Sequence, residues 1–432
     1  MAKMKRKIVI GIAILLISLA FLSNSQFLQN YPLPPPMDIS MPLEESIFRR
    51  CSIRIFSEKS ISNEELSTIL WAAYGYINEQ KRTIHGINDV YAARIYVLKE
   101  DAIYIYEPSS HSLILYKEGD YRNVGQYNAP IQLLIVWDKS KSNEYYASAE
   151  IGEIGQNIYL VANALDLGTV TTTGYTLSEV GLPPNEKPMI IMPLGYPKYP
   201  YNFVYFPFVI SMLPRIKYSN MSLTDAIKER REKDFFEGSL TTQEKMQVIW
   251  STYGYSYFVD ITKDEFYYHL YRHRTVPSAH GYYPLRIYVV TESAIYRYIP
   301  NIYDPIYGIL PLAFLPIPMP VFTFLFPIKV GDYRDEIAKA SSPSISTAPL
   351  IIVLILDIER TKPKGFDDFS GEEFRWLWYY EAGASAHNAL LEATAWGLYA
   401  NIYTIKDKDI ILSTLGLNKD KFDPLLVIPV GK

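Results

Sequence analysis

The feature that most constrains this chain is that it repeats itself. Met41 to Ile47 (MPLEESI) returns as Met221 to Ile227 (MSLTDAI), and Trp71 to Tyr76 (WAAYGY) returns as Trp250 to Tyr255 (WSTYGY). Arg94 to Leu98 followed by Ala102 to Tyr104 is echoed by Arg286 to Val290 followed by Ala294 to Tyr296. Gly119-Asp-Tyr-Arg122 matches Gly331-Asp-Tyr-Arg334, and each copy closes on an apolar run with Pro-x-Gly, at Gly195 and Gly431. The order is kept, and spacing changes only in polar or Pro-rich stretches where loops absorb insertions. Two similar domains in tandem are therefore expected, over 40–198 and 220–432, joined by a linker over 199–219. The length of 432 residues agrees with two cores of ~170–200 residues each.

Within a copy, helical spacing covers Leu43 to Arg50 and Asn63 to Tyr74, with Ser62 before Glu64 and Glu65 as a helix start signal. Ala92 to Leu98 and Ala102 to Tyr106 alternate as a hairpin pair, and Gln132 to Trp137 and Met189 to Met192 read as buried strands. A long helix is expected from Glu150 to Leu167, ended by Gly168, with its counterpart from Glu381 to Leu398. Each copy is thus an α+β unit, a mostly antiparallel sheet with helices around it.

Hydrophobic residues make up 49% and charged ones 20%, a globular balance, and a net charge of −4 gives no electrostatic case for nucleic acid. The single cysteine, Cys51, excludes an intrachain disulfide and an all-Cys metal site. His269 and His273 have the spacing of a helical ligand pair, but no third ligand accompanies them, and no metal is expected. Lys3, Lys5, Arg6 and Lys7 precede the uncharged run Ile8 to Leu22, then Ser23-Asn24-Ser25. This order reads as a signal peptide or short membrane anchor over 1–26, with the remainder extracytoplasmic. A Pro-rich tether over 27–39 reads as a stiff spacer. The stretch 305–328 in copy 2 carries no charge and is interrupted by Pro311, Pro316, Pro318, Pro320 and Pro327, which excludes an ordinary transmembrane helix. It reads as an arm packed on the other copy, or as a lid or membrane-facing surface.

Two short motifs divide between the copies. Arg50-Cys51-Ser52-Ile53-Arg54 stands only in copy 1, where two cations four apart beside a hydroxyl suit one dianion. A solvated basic face pairing with Glu44 or Glu58 is the alternative reading. Pro277-Ser278-Ala279-His280-Gly281 stands only in copy 2, where copy 1 has His85 to Asp89. Thr173-Gly174-Tyr175 follows the long helix of copy 1, and Ala400 to Thr404 has no such glycine. At the Arg-x-Ser position copy 2 has Arg230-Arg-Glu-Lys233, where Glu232 reads as a repulsive charge.

These motifs, in this order, resemble the nitroreductase superfamily, and the Pro-Ser-Ala form is most similar to its SagB-type dehydrogenase branch. The resemblance covers roughly 40–198 and 220–432. It implies homodimer-like pairing of the two copies, an intramolecular pseudo-dimer, with FMN at the interface. By that resemblance Arg50, Ser52 and Arg54 hold the phosphate and pyrimidine edge, and Thr173 and Gly174 offer backbone to the ring. Pro277, Ser278 and Ala279 would come from the other copy. Arg122 would reach the ribityl chain or phosphate, His280 would be a donor or a turn residue, and Cys51 is a small filler beside the site. The expected function is an FMN-dependent oxidoreductase with one flavin site of two kept. The alternatives are a flavin-free pseudoenzyme acting as a binding or assembly module at the cell surface and an azoline dehydrogenase.

Overall fold

The computed structural model describes residues 29–199, 202–204, 209–211, 213–260, 272–300 and 321–432. The N-terminal segment 1–26, His269 and most of the apolar stretch 305–328 lie outside them. Among the described residues no helix is long and apolar enough to cross a membrane.

Repeat 1 comprises β1 (Asn30–Pro32), α1 (Leu43–Arg49), α2 (Asn63–Tyr74), β2 (Ala93–Leu98), β3 (Ala102–Glu107), β4 (Ser112–Glu118), β5 (Ile131–Asp138), α3 (Glu144–Ala164), β6 (Gly168–Thr169) and β7 (Glu186–Gly195). The linker carries β8 (Asn202–Val204) and β9 (Val209–Ser211). Repeat 2 begins with α4 (Leu223–Glu229), α5 (Thr242–Tyr253), β10 (Tyr255–Asp260), β11 (Arg272–Arg274), β12 (Leu285–Val290), β13 (Ala294–Ile299) and β14 (Val321–Val330). It continues with α6 (Arg334–Ala340), β15 (Leu350–Asp357), α7 (Arg375–Ala395), β16 (Tyr399–Ala400), β17 (Tyr403–Thr404), α8 (Lys408–Leu415) and β18 (Phe422–Gly431).

The duplication is visible in the sheets. Repeat 1 runs β4-β3-β2-β5-β7-β6 with β1 added at the edge, and repeat 2 runs β14-β13-β12-β15-β18-β16 with β9 added. All neighbours are antiparallel except β9 on β14. Even the bulges recur, at Ile103/Tyr104 and Ile295/Tyr296 and again at Ile135/Val136 and Leu354/Ile355. Irregularities kept at matching positions are built features of a fold. The fold is α+β, as expected, and β8 and β9 lay the linker against repeat 2 through β10 and β14.

Three boundaries differ from expectation. The long helices start six residues earlier, at Glu144 and Arg375, and end at Ala164 and Ala395. Asn143 caps the first by accepting from Tyr146 N, a signal that the apolar periodicity masked. Gly168 does not end that helix; it lies in β6, and Asp166 takes the left-handed turn that Gly397 takes in repeat 2. The tether is no free spacer. Asn30–Pro32 adds a strand to β4, and the Pro34 carbonyl accepts from Ser67 and lies 3.1 Å from His111 Nε2.

The repeats meet along α3 and α7, which are buried nearly all round, as helices at the centre of a molecule must be. Gly152 on α3 faces the Tyr380 carbonyl, and Gly383 on α7 faces the Ala149 carbonyl, so closely that a Cβ on either would overlap backbone. The helices therefore touch backbone to backbone. The starts of the repeats also pair reciprocally. Leu43 N donates to Met221 O at 3.2 Å, and Leu223 N donates to Met41 O at 2.9 Å. This arrangement is that of a two-fold dimer joined in one chain.

Candidate functional site between the repeats

The Arg50–Arg54 segment is not helical. Arg50 leaves α1 with φ −55° and ψ 117°, so the segment runs on in extended form. Successive side chains then alternate in direction. Cys51 and Ile53 are buried, with Cys51 N donating to Asn163 Oδ1 at 3.0 Å and Ile53 N to Thr169 O at 2.9 Å. Arg50 and Ser52 take the other side, both against Tyr159. Their convergence rests on the extended backbone, not on the turn of a helix. Burial pushes the Cys51 thiol up to about 12, against the pull of Arg50 and Arg54, which fits its reading as a filler.

Arg50 is only 1% exposed and pairs with neither Glu44 nor Glu58, so the solvated-face reading fails for it. Its Nε donates to the Arg274 carbonyl of repeat 2 at 2.8 Å, and its guanidinium carbon lies 5.2 Å from the Tyr159 ring centre. Tyr159 OH lies 3.1 Å from Ser52 Oγ and accepts from Thr171 N at 2.8 Å. Thr171 Oγ1 in turn lies 2.7 Å from the hydroxyl of Tyr380, which belongs to α7 of repeat 2.

Beside Tyr380, Glu381 accepts from Ser278 Oγ at 2.6 Å and from Tyr253 OH. Ser278 Oγ also accepts from Tyr283 N at 2.9 Å. Arg274 lies under the rings of Tyr283, Tyr253 and Tyr255 at 4.6 to 4.9 Å. The two divided motifs thus meet at one place across the interface: Arg50 and Ser52 from repeat 1, Ser278 from repeat 2, with Tyr159, Thr171, Tyr380 and Glu381 linking them.

The remaining candidates behave differently. Pro277 is buried, and Ala279 and His280 form a single 3-10 turn in which His280 adopts φ 53°, a conformation natural to glycine. Its ring stacks on Phe369 at 4.4 Å. Thr173 is exposed, and Gly174 abuts Gln126, whose N donates to Gly174 O at 2.8 Å. The reach from this loop into the cluster is made by Thr171. Arg122 is forked on Asp120 at 2.9 and 2.6 Å, and Arg334 is forked identically on Asp332. A contact present in both repeats is a local clamp, so Arg122 stands apart from the cluster.

Tyr159, Thr171, Tyr380, Glu381 and Tyr253 carry no local site signal in the sequence, and His273, weighed there as half of a helical ligand pair, lies in strand β11. The duplication held a signal for two of them. Glu150 accepts from Tyr74 OH at 2.7 Å in repeat 1 just as Glu381 accepts from Tyr253 OH.

Burial pushes Glu381 up to about 7, despite the hydroxyls of Ser278 and Tyr253. A carboxyl raised in this way keeps its proton in the folded state while the unfolded chain loses it. It therefore contributes stability that is full below about pH 4.5 and is lost as pH rises through about 7, amounting to roughly 3 kcal/mol. Glu381→Gln is expected to remove this dependence. Denaturation midpoints of variant and native protein at pH 5 and pH 7.5 test it, and parallel profiles would reject the assignment.

The symmetry-related half is filled from within. Arg230 Nη2 donates to the carbonyls of Arg82 and Ile84, both at 2.9 Å. Glu232 lies 2.6 Å from Lys81 Nζ and 3.1 Å from Arg230 Nη1, the latter a charge contact without hydrogen-bond alignment. Burial opposes ionisation of Glu232, but Arg230, His85 and Lys81 hold it below the usual carboxylate range. Glu232 is thus a counter-ion here and not a repulsive charge. Glu153 accepts from His85 N at 2.8 Å and Gly86 N at 3.2 Å, opposite His387. Among the described residues no group of acidic, His and Cys side chains could hold a metal ion.

The nitroreductase family model matches residues 47–196 and 238–432, both repeats and most of the chain. The chain belongs to the nitroreductase family. A Methanocaldococcus jannaschii protein described as a nitroreductase is 28% identical over 190 residues, 37% of this chain and 96% of its own length. A crystal structure described as a nitroreductase from Anabaena variabilis is 14% identical, with a TM-score of 0.63 over 93% of each chain, a likeness of fold that runs through both repeats. A nitroreductase of Desulfovibrio desulfuricans solved with FMN is 20% identical over 36% of this chain and 87% of its own, with a TM-score of 0.28. Membership of this family makes oxidoreductase activity with a flavin the coarse functional assignment.

Proposed function

We propose that this chain is an FMN-dependent oxidoreductase with one flavin site, formed between its repeats on the Arg50 side. The observation that carries this reading is the contrast between the halves. Arg50 is a buried cation with no carboxylate in ion-pair range among the described residues, while the equivalent Arg230 has the protein's own Glu232 at 3.1 Å. An uncompensated buried charge costs several kcal/mol, so it calls for an anion from outside. Arg50, Ser52 and Arg54 would hold the phosphate end, and Thr171 to Gly174 and Pro277 to Ala279 would flank the ring. The bound flavin would supply electron transfer, and the protein binding and orientation. Ser278 is fixed for this by Glu381 and Tyr283 N, while Tyr159 and Tyr380 hold Ser52 and Thr171 through their hydroxyls.

FMN titrated into the full chain should be quenched with saturable micromolar binding. A folded protein that leaves FMN fluorescence unchanged would remove this reading and favour a flavin-free binding shell.

The basic and apolar residues 1–26 support a place outside the cytoplasm, tethered at or released from the membrane. Soluble NAD(P)H is not expected there, so a quinone or a small redox partner is the proposed electron partner. A reporter enzyme active only outside the cytoplasm, fused after residue 40, should be active; an inactive fusion with a cytoplasmic product would overturn this location.

A further inference from the structure

The filled half of the interface indicates what the open half is built to hold. In each half the arginine that leaves the first short helix contacts the backbone carbonyl of an arginine in the other repeat, Arg50 on Arg274 and Arg230 on Arg82. The segments that receive them also correspond, since Thr275 N donates to Gly254 O and Thr83 N donates to Gly75 O. The residue just before the receiving arginine is His273 in one half and Lys81 in the other. On the filled side, Lys81 and Arg230 grip the Glu232 carboxylate from opposite repeats. On the open side the residue aligned with Glu232 is Ser52, which brings no charge. There both Arg50 Nη1 and His273 Nε2 are buried with no hydrogen-bond partner among the described residues. Arg50 Nε holds the carbonyl of the residue next to His273, Arg274, at 2.8 Å, and burial, then the charges of Arg50 and Arg54, push His273 down to about 3.

We infer that His273, reaching across from repeat 2, completes with Arg50 a cradle for a phosphate monoester, and that Glu232 is the internal carboxylate filling the matching cradle of the other half. This rests on the flavin reading above for the identity of the ester, but not for the cradle. An orphaned guanidinium N–H and an orphaned imidazole nitrogen on opposite repeats, matching a pair of groups that holds a carboxylate elsewhere in the same molecule, are a site with its ligand type already displayed. A neutral imidazole donates one hydrogen bond to a phosphate oxygen, and a donor of this kind to a charged acceptor contributes about 1.5–3 kcal/mol, some 10–100-fold in affinity.

The test compares FMN with riboflavin, which lacks the phosphate, on the full chain by fluorescence titration. His273→Ala is expected to weaken FMN by about 10–100-fold and leave riboflavin unchanged, while His273→Gln, which keeps a donor, retains most of the preference. A folded His273→Ala protein with an unchanged FMN-to-riboflavin ratio overturns the proposal, and where that variant does not fold, a His273→Gln ratio reduced to that of riboflavin does so too. Thermal shift with inorganic phosphate separates this from failure of the flavin reading. A phosphate shift in the native chain that is lost in His273→Ala and largely kept in His273→Gln supports the cradle even if neither flavin binds, and no phosphate shift together with no preference for FMN overturns it.

Discussion

Gly383→Val is expected to lower the thermal midpoint by about 6–12 °C and to abolish flavin binding while each repeat retains its own secondary structure. Gly383 packs against the backbone of Ala149, not against a side-chain end that could swing away. Overpacking usually costs about 1–3 kcal/mol, and contact with immovable backbone places this case at the upper end or beyond. For a domain of this size each kcal/mol moves the midpoint by about 2–4 °C. Because the helix pair α3 and α7 is also what brings Tyr380 against Thr171, parting them dismantles the site. Gly152→Val should act in the same way from the opposite side, since its neighbour is the Tyr380 carbonyl. Gly397→Ala is the control: its position has φ 68° and nothing within 4 Å, so only the strain of a left-handed backbone, about 1 kcal/mol, is expected. Circular dichroism melting together with FMN titration checks all three, and a Gly383→Val protein that melts like the native chain would contradict the crossing.

The double change Arg50→Ala with Arg54→Ala is expected to weaken FMN by 100-fold or more. Arg50 would lose a charge-assisted contact with the phosphate and its grip on the Arg274 carbonyl, and each charged hydrogen bond is worth about 1.5–3 kcal/mol. Arg50→Lys separates these roles, because lysine keeps the charge but cannot donate to Arg274 O and to an anion with the same planar fork. Its FMN affinity should fall between native and double variant. If the double variant binds FMN like the native chain while remaining folded, the phosphate end lies elsewhere.

Much of the fold was legible because duplication turns weak local signals into paired ones. The capping pair Ser62 and Glu65 recurs as Thr241 and Glu244, and the hairpin Ala93–Leu98 with Ala102–Glu107 recurs with the same bulge. The division of the motifs was legible for the same reason, since a motif present in one copy and absent from its aligned partner marks a side. What could not be read was conformation at single residues. Helical spacing over Leu43 to Arg50 hides the break at Arg50 that makes the motif extended. Glu232 reads as repulsive until Lys81 is brought beside it from the other repeat, 151 residues away in sequence. Tyr380 and Thr171 carry no local motif at all, because their meaning comes only from the crossing of α3 and α7. Arg122 is the converse lesson: it reads as a flavin contact, its repetition as Arg334 leaves a structural role equally open, and in the fold both arginines are forked on Asp120 and Asp332.

The central claim is that one half of the interface takes a flavin and the other is closed by the chain's own carboxylates. The number of FMN molecules bound per chain at saturation tests it most directly, by flavin absorbance against protein concentration after removal of excess ligand. One FMN per chain is the predicted result, unchanged in Glu232→Gln and lost in Arg50→Ala with Arg54→Ala. Two per chain would contradict the closure of the Arg230 side, and none in a folded chain would contradict the opening of the Arg50 side.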